Sequence, residues 1–109
     1  MTKYGNKKTE IHGITFDSKA EARRYGQLLL LERAGKISGL ERQPVFILIP
    51  AVVISGRKRS AIKYIADFRY TDDSGKQIIE DTKGVLTPVY KIKRHLMMHV
   101  HGVEILETA

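Results

Sequence analysis

At 109 residues, with 42% hydrophobic and 28% charged side chains, the chain has the size and make-up of one globular domain, which excludes a disordered protein or a core with a separate regulatory module. Its 19 Lys and Arg against 12 Asp and Glu leave a formal charge of +7, an excess that attracts polyanions such as nucleic acid or an anionic membrane surface. There is no cysteine, so any metal must be held by oxygen or imidazole. No stretch approaches the roughly 18 apolar residues of a membrane span, and the polar N-terminus lacks a signal-peptide core, so a cytoplasmic protein without a membrane partner is expected.

Residues 1–10 read as a basic arm, with Lys3, Lys7 and Lys8 available to a nucleic acid, and residues 11–109 as a single domain. A short extended entry over 11–16 leads to Ser18-Lys19-Ala20-Glu21, a capping-box pattern, and Gly35 closes the helix it starts. This predicts a helix over 18–34, with Glu21, Tyr25, Leu28 and Leu29 on one side and Leu30 nearly opposite, a candidate dimer contact. After a linker over 36–42, the apolar run 44–50, flanked by prolines, predicts a strand buried on both faces, extended by residues 51–54. Residues 55–60 form a turn carrying Arg57, Lys58 and Arg59, a plausible clamp on a phosphate backbone.

Residues 61–71 alternate, with Ile62, Tyr64, Ala66, Phe68 and Tyr70 on one face and Ala61, Lys63, Ile65, Asp67 and Arg69 on the other. The turn cluster 72–76 and a strand over 77–83 complete an antiparallel meander. Thr87-Pro88 starts a second helix that runs to His101 and stops at Gly102. Its apolar stripe is Val89, Ile92, Leu96 and Val100, with Lys91 and Arg94 on the far side and Lys93 beside the stripe. Residues 103–107 add a strand at the sheet edge. The expected fold is α/β (α+β), in the order α-β-β-β-α-β.

The chemistry concentrates in the hairpin 61–84. A strand displays alternate residues on one face, so Asp81 and Lys83 point the same way. If residues 72–76 form the loop, Asp67 lies across from Asp81; a loop one residue shorter would bring Glu80 there instead. Two acids and a lysine at one spot form a candidate Mg²⁺ site, with Asp67, Asp81 and the Thr82 carbonyl as oxygen ligands and Lys83 beside the scissile phosphate. The plainer reading is a cross-strand salt bridge, and Glu21 by itself is the third residue of its capping box. His95 and His99 are one helical turn apart, but the intervening Leu96, Met97 and Met98 supply no glutamate for a zinc protease.

Asp67 on a middle strand, Asp81-Thr82-Lys83 on the next, Glu21 on the preceding helix and the order of elements together resemble the PD-(D/E)XK nuclease superfamily. More closely, residues 13–21, 64–68 and 80–84 resemble a family of small phage and prophage proteins, formerly of unknown function, grouped with that superfamily. The resemblance covers roughly residues 6–107. It implies a restriction-endonuclease-like core, a Mg²⁺-dependent DNA endonuclease in which Mn²⁺ can substitute, metal roles for Asp67 and Asp81, a catalytic role for Lys83 and a supporting one for Glu21. Ala66 replaces the superfamily's proline, leaving the chemical groups intact. Small phage nucleases of this type include Holliday-junction and branched-DNA resolvases that act as homodimers, so the partner implied is DNA in the cytoplasm of a bacterial host. The alternative is a non-catalytic DNA-binding protein using the same cations.

Overall fold

The computed structural model describes residues 9–11 and 13–108. Lys3, Lys7, Lys8 and most of the expected arm lie outside them, as does His12. The described residues form ten strands and two helices, which makes the protein mixed α+β. None of these helices is long and apolar enough to cross a membrane.

The first strands, β1 (Thr9–Ile11) and β2 (Ile14–Phe16), pair antiparallel with Thr9 opposite Phe16. Gly13 turns between them at φ 77°, a conformation that glycine adopts without cost. Ordered pairing therefore begins inside the stretch read as the arm. Helix α1 (Lys19–Arg33) starts where the capping pattern predicts, with the Glu21 N–H donating to Ser18 Oγ at 3.1 Å. It buries Glu21, Ala22 and Leu28, whereas Leu30 is 65% exposed.

The expected linker over 36–42 is instead β3 (Ile37–Arg42). Its periodicity is blurred because a bulge between Ser38 and Glu41 takes in Gly39 at φ 65°. From Ile37 the chain runs out through β4 (Val45–Ile49) and β5 (Val52–Ile54), turns at Ser55-Gly56, and returns through β6 (Arg57–Arg59), β7 (Ile62–Ile65) and β8 (Phe68–Asp72). One antiparallel register carries across the first break, with Arg42 opposite Phe68 and Val45 opposite Ile65. The Gln43 N–H donates to the Asp67 carbonyl at 2.9 Å and the Ala66 N–H to the Pro44 carbonyl at 3.2 Å. The strand expected over 61–71 is therefore bent at Ala66-Asp67, where its partner carries Gln43 at φ 52° and a proline with no N–H to give. Beyond the core the ribbon has no cover: residues 49–60 are all exposed, and Arg57, Lys58 and Arg59 lie at its tip opposite Ile54, Val53 and Val52.

The central sheet has the order β10-β9-β8-β3, with β9 (Gln77–Thr82) antiparallel to β8 and β10 (Leu106–Thr108) parallel to β9. One side packs on α1 through Leu28, Ile37, Phe68 and Tyr70. The other packs on α2 (Pro88–His101), joining Tyr90 and Met97 to Leu48, Tyr64, Ala66, Ile79 and Ile105. Helix α2 begins at its Thr87 cap and ends at Gly102 as expected, but of the expected apolar stripe Leu96 alone packs against the core. Val89, Ile92 and Val100 are 61%, 62% and 46% exposed, while Tyr90 and Met97 are buried. An aromatic ring and a flexible methionine two turns apart fill the space over the sheet better than the smaller aliphatic stripe. The apolar run over 44–54 is likewise not buried on both faces: Leu48 is 4% exposed, but Val45 and Ile47 are 55% and 53% exposed.

Candidate active site

The β8–β9 hairpin closes with Thr71 opposite Gln77 and Phe68 opposite Glu80. Continued by one step, this register sets Asp67 across from Asp81. The turn between is held by Asp72, whose Oδ1 accepts from Ser74 N–H, Ser74 Oγ–H and Lys76 N–H. Those bonds, the Ser74 side chain's first, hold the Asp72 carboxyl below its usual range.

Pleating sends neighbours on β9 to opposite sides. Glu80 points toward α1, fully buried, and its carboxylate accepts from Arg24 Nε at 2.6 Å, Arg24 Nη2 at 2.9 Å and Tyr70 O–H at 2.6 Å. Asp81 points toward α2 and is 3% exposed. It accepts a hydrogen bond from the Tyr64 hydroxyl and an ion pair from Lys83, whose Nζ is 3.2 Å away and 4.2 Å from the centre of the Tyr90 ring. The Lys83 main chain is anchored by its N–H to the Thr108 carbonyl at 2.8 Å.

Asp67 sits at the bend, and its Oδ2 accepts the Thr82 N–H at 2.7 Å. Thr82 thus meets Asp67 through its N–H, and its hydroxyl lies 3.3 Å from that of Thr108. Burial, then hydrogen bonding to Asp81, pushes the Asp67 carboxyl up to about 8 against the lowering pull of that N–H. Burial and a second carboxylate alongside both favour the protonated form of Asp67, since two buried carboxylates side by side resist carrying two charges. Burial also pushes the Tyr64 hydroxyl far up, with Asp81 adding to the effect. Glu21 is raised by burial first, then pulled down by Arg42 and raised by Asp17 and Asp81. Its carboxylate therefore feels the site from the first turn of α1.

Among the described residues, no three His, Cys, Asp or Glu side chains meet at metal-ligating spacing. The donor set with the right chemistry for Mg²⁺ is the Asp67 and Asp81 pair, because this hard cation needs only one or two carboxylates and otherwise keeps water or binds substrate oxygen. Burial beside Asp81 disfavours the charged form of the Asp67 carboxyl, a cost that a cation held between the two carboxylates would relieve.

The other expected contacts separate. Arg57, Lys58 and Arg59 stand on the exposed tip, and Lys91 is exposed on α2. Arg94 is paired to Glu107 at 2.9 Å, an oxygen that also accepts from Tyr90 O–H at 2.6 Å. Lys93 is half-buried and faces a cavity it shares with Lys63 and Lys83. Two contributors escape sequence reasoning. Tyr64 could have been found as the aromatic three residues before Asp67 on a core-facing strand. Arg42 lies in the stretch taken for a linker; its guanidinium sits 4.6 Å from the Phe16 ring centre and 5.9 Å from that of Tyr25, with a buried Nε lacking a hydrogen-bond partner.

The fold and this cluster define a mixed α+β protein with a paired-carboxylate and lysine site at one end of a four-stranded sheet. The chain belongs to the family described as "Protein of unknown function (DUF1064)", whose model matches residues 1–105. No curated protein and no solved structure matches it.

Proposed function

We propose that the protein is a Mg²⁺-dependent DNA endonuclease with a restriction-endonuclease-like core. The observation that carries this reading is the register that sets Asp67 across from Asp81, with Lys83 Nζ 3.2 Å from Asp81. Asp67 and Asp81 would hold the Mg²⁺, for which Mn²⁺ can substitute; when bound, it supplies a more acidic water and neutralises charge developing at phosphorus. Tyr64 and the Thr82 N–H orient the two carboxylates. Lys83, steadied by Asp81 and the Tyr90 face, brings a fixed positive charge to the scissile phosphate and strengthens as that phosphate gains charge. Glu21, close enough to feel Asp81, orients water on the α1 side.

The substrate follows from the cations. Arg57, Lys58 and Arg59 on an uncovered two-stranded ribbon suit a DNA duplex, because the major groove admits such a ribbon and phosphates line it. Recognition is then by backbone and shape, which favours branched DNA such as a Holliday junction, in phage or prophage DNA metabolism within the bacterial cytoplasm. Exposed Leu30, Val45 and Ile47 offer apolar surface to a second copy, and a homodimer would bring two sites to one junction.

The test incubates the protein with linear, single-stranded, flap and four-way-junction DNA in Mg²⁺, Mn²⁺ or EDTA, beside Asp67→Asn and Lys83→Ala. Metal-dependent cutting by the wild type alone is expected. Binding without cutting in either metal would leave a non-catalytic DNA-binding protein. Light scattering tests the dimer, and a monomer on junction DNA would remove the resolvase reading.

A further inference from the structure

We infer that the cavity between β7 and the start of α2 binds a backbone phosphate of the nucleic-acid strand next to the one held at Asp67 and Asp81, with Lys63 and Lys93 as its dedicated cations; this rests on the nuclease reading. The cavity measures about 310 Å³ and is lined by Lys63, Lys83 and Lys93 together with Tyr64, Thr87 and Tyr90, among others. Its three lysines come from three places in the chain: β7, the segment after β9, and α2.

Lys83 is paired to Asp81, which leaves Lys63 and Lys93 as positive charges at this cavity with no counter-charge in its wall. No carboxylate lines the wall, and the first turn of α2 has no acidic residue. Neither Lys63 nor Lys93 has an ion-pair partner among the described residues. Lys83 is different. It reaches Asp81 at 3.2 Å while lining the same cavity, so the cavity and the carboxylate pair share a wall. Tyr64 also belongs to both, since its hydroxyl is given to Asp81.

The uncommitted polar groups in this wall suit charge more than base edges. The Tyr64 and Tyr90 hydroxyls donate to Asp81 and Glu107, and Thr87 Oγ accepts the Tyr90 N–H. Ile65 and Val89 provide apolar wall for a sugar. The site therefore takes a phosphodiester without reading its base, and it gives the strand a second hold beside the reacting phosphate, which aligns the scissile bond.

The test measures oligonucleotide binding by fluorescence anisotropy in EDTA over a salt series, so that no cleavage occurs. Wild type is compared with Lys63→Gln/Lys93→Gln and with Lys19→Gln/Lys36→Gln, which removes the same charge from exposed positions elsewhere. Loss of the cavity lysines is expected to flatten the salt slope by about 1, the share of the single phosphate they hold, equally for oligonucleotides of different sequence. The control pair is expected to change it less. Equal slopes for the two double variants, or an unchanged slope with the cavity variant, would overturn the inference. The two proposals fail separately. A protein that cuts DNA with unchanged KM and salt slope after Lys63→Gln/Lys93→Gln is a nuclease without this subsite, whereas one that cuts nothing yet loses slope in that variant keeps the phosphate site without the nuclease.

Discussion

Glu80 and Asp81 are adjacent on one strand, both buried, and serve opposite ends. On the α1 side Glu80 is answered in full, by two nitrogens of Arg24 and by Tyr70. That bonding to Glu80 raises the Arg24 guanidinium further above its ordinary range, and burial, then Glu80, pushes the Tyr70 hydroxyl up to about 12. On the α2 side Asp81 is paired to Lys83 and accepts from Tyr64, and a second buried acid, Asp67, lies against it. A buried acid whose charge is balanced by its neighbours holds elements together; one left facing a second acid is a place for a cation.

The largest expected effects test that contrast directly. Asp81→Asn and Lys83→Ala are expected to lower the cleavage rate by about 10²–10³-fold, with circular dichroism and the urea midpoint close to wild type. Glu80→Gln is expected to do the reverse, costing about 3 kcal/mol of stability because Arg24 loses its counter-charge, with the rate per folded molecule kept. A Glu80→Gln protein that is folded and inactive, beside an active Asp81→Asn, would exchange the two roles.

Next in size is the response to pH. Asp67 has a folded value of about 8 against an ordinary 3.8, so between these limits the folded state holds a proton that the unfolded state has released. Stability of the metal-free protein therefore falls as pH rises from about 4 to about 8, by at most about 1.4 kcal/mol per unit. Asp67→Asn is expected to flatten this dependence in urea titrations. Mg²⁺ bound at the proposed site would displace the same proton, so its affinity is expected to rise with pH up to about 8 and then level off, which calorimetry in buffers of different ionisation heat would detect.

The two tyrosines give the smallest and sharpest comparison. Tyr70→Phe removes a donor from Glu80 and is expected to cost about 1.5 kcal/mol in the denaturation midpoint, with cleavage unaffected. Tyr64→Phe removes a donor from Asp81, and its expected effect is a shift in the Mg²⁺ concentration for half-maximal cleavage. If both variants altered only the midpoint, the Asp81 side would be as structural as the Glu80 side.

Local rules were enough for much of this molecule. Ser18, Gly35, Thr87-Pro88 and Gly102 mark both helices because capping chemistry is settled within a few residues. Strand alternation likewise sufficed to put Glu80 and Asp81 on opposite faces, but it left two registers for Asp67; the pairing of Phe68 with Glu80 selects the one that faces Asp81. What depends on distant partners could not be read locally. Residues 36–42 become a strand because β8 and α1 lie beside them, and the strand over 61–71 bends because Gln43-Pro44 on its partner interrupts the ladder. Helix α2 turns Tyr90 and Met97 inward because the space over the sheet suits them, which also carries Lys93 toward Lys63 and Lys83. The sequence alone determined the helix ends and the two registers open to the hairpin, both products of short-range geometry. Only the tertiary structure decided that Asp81 and not Glu80 lies across from Asp67, and which groups answer each buried acid, because Arg24, Tyr64 and Tyr70 are brought beside them by packing.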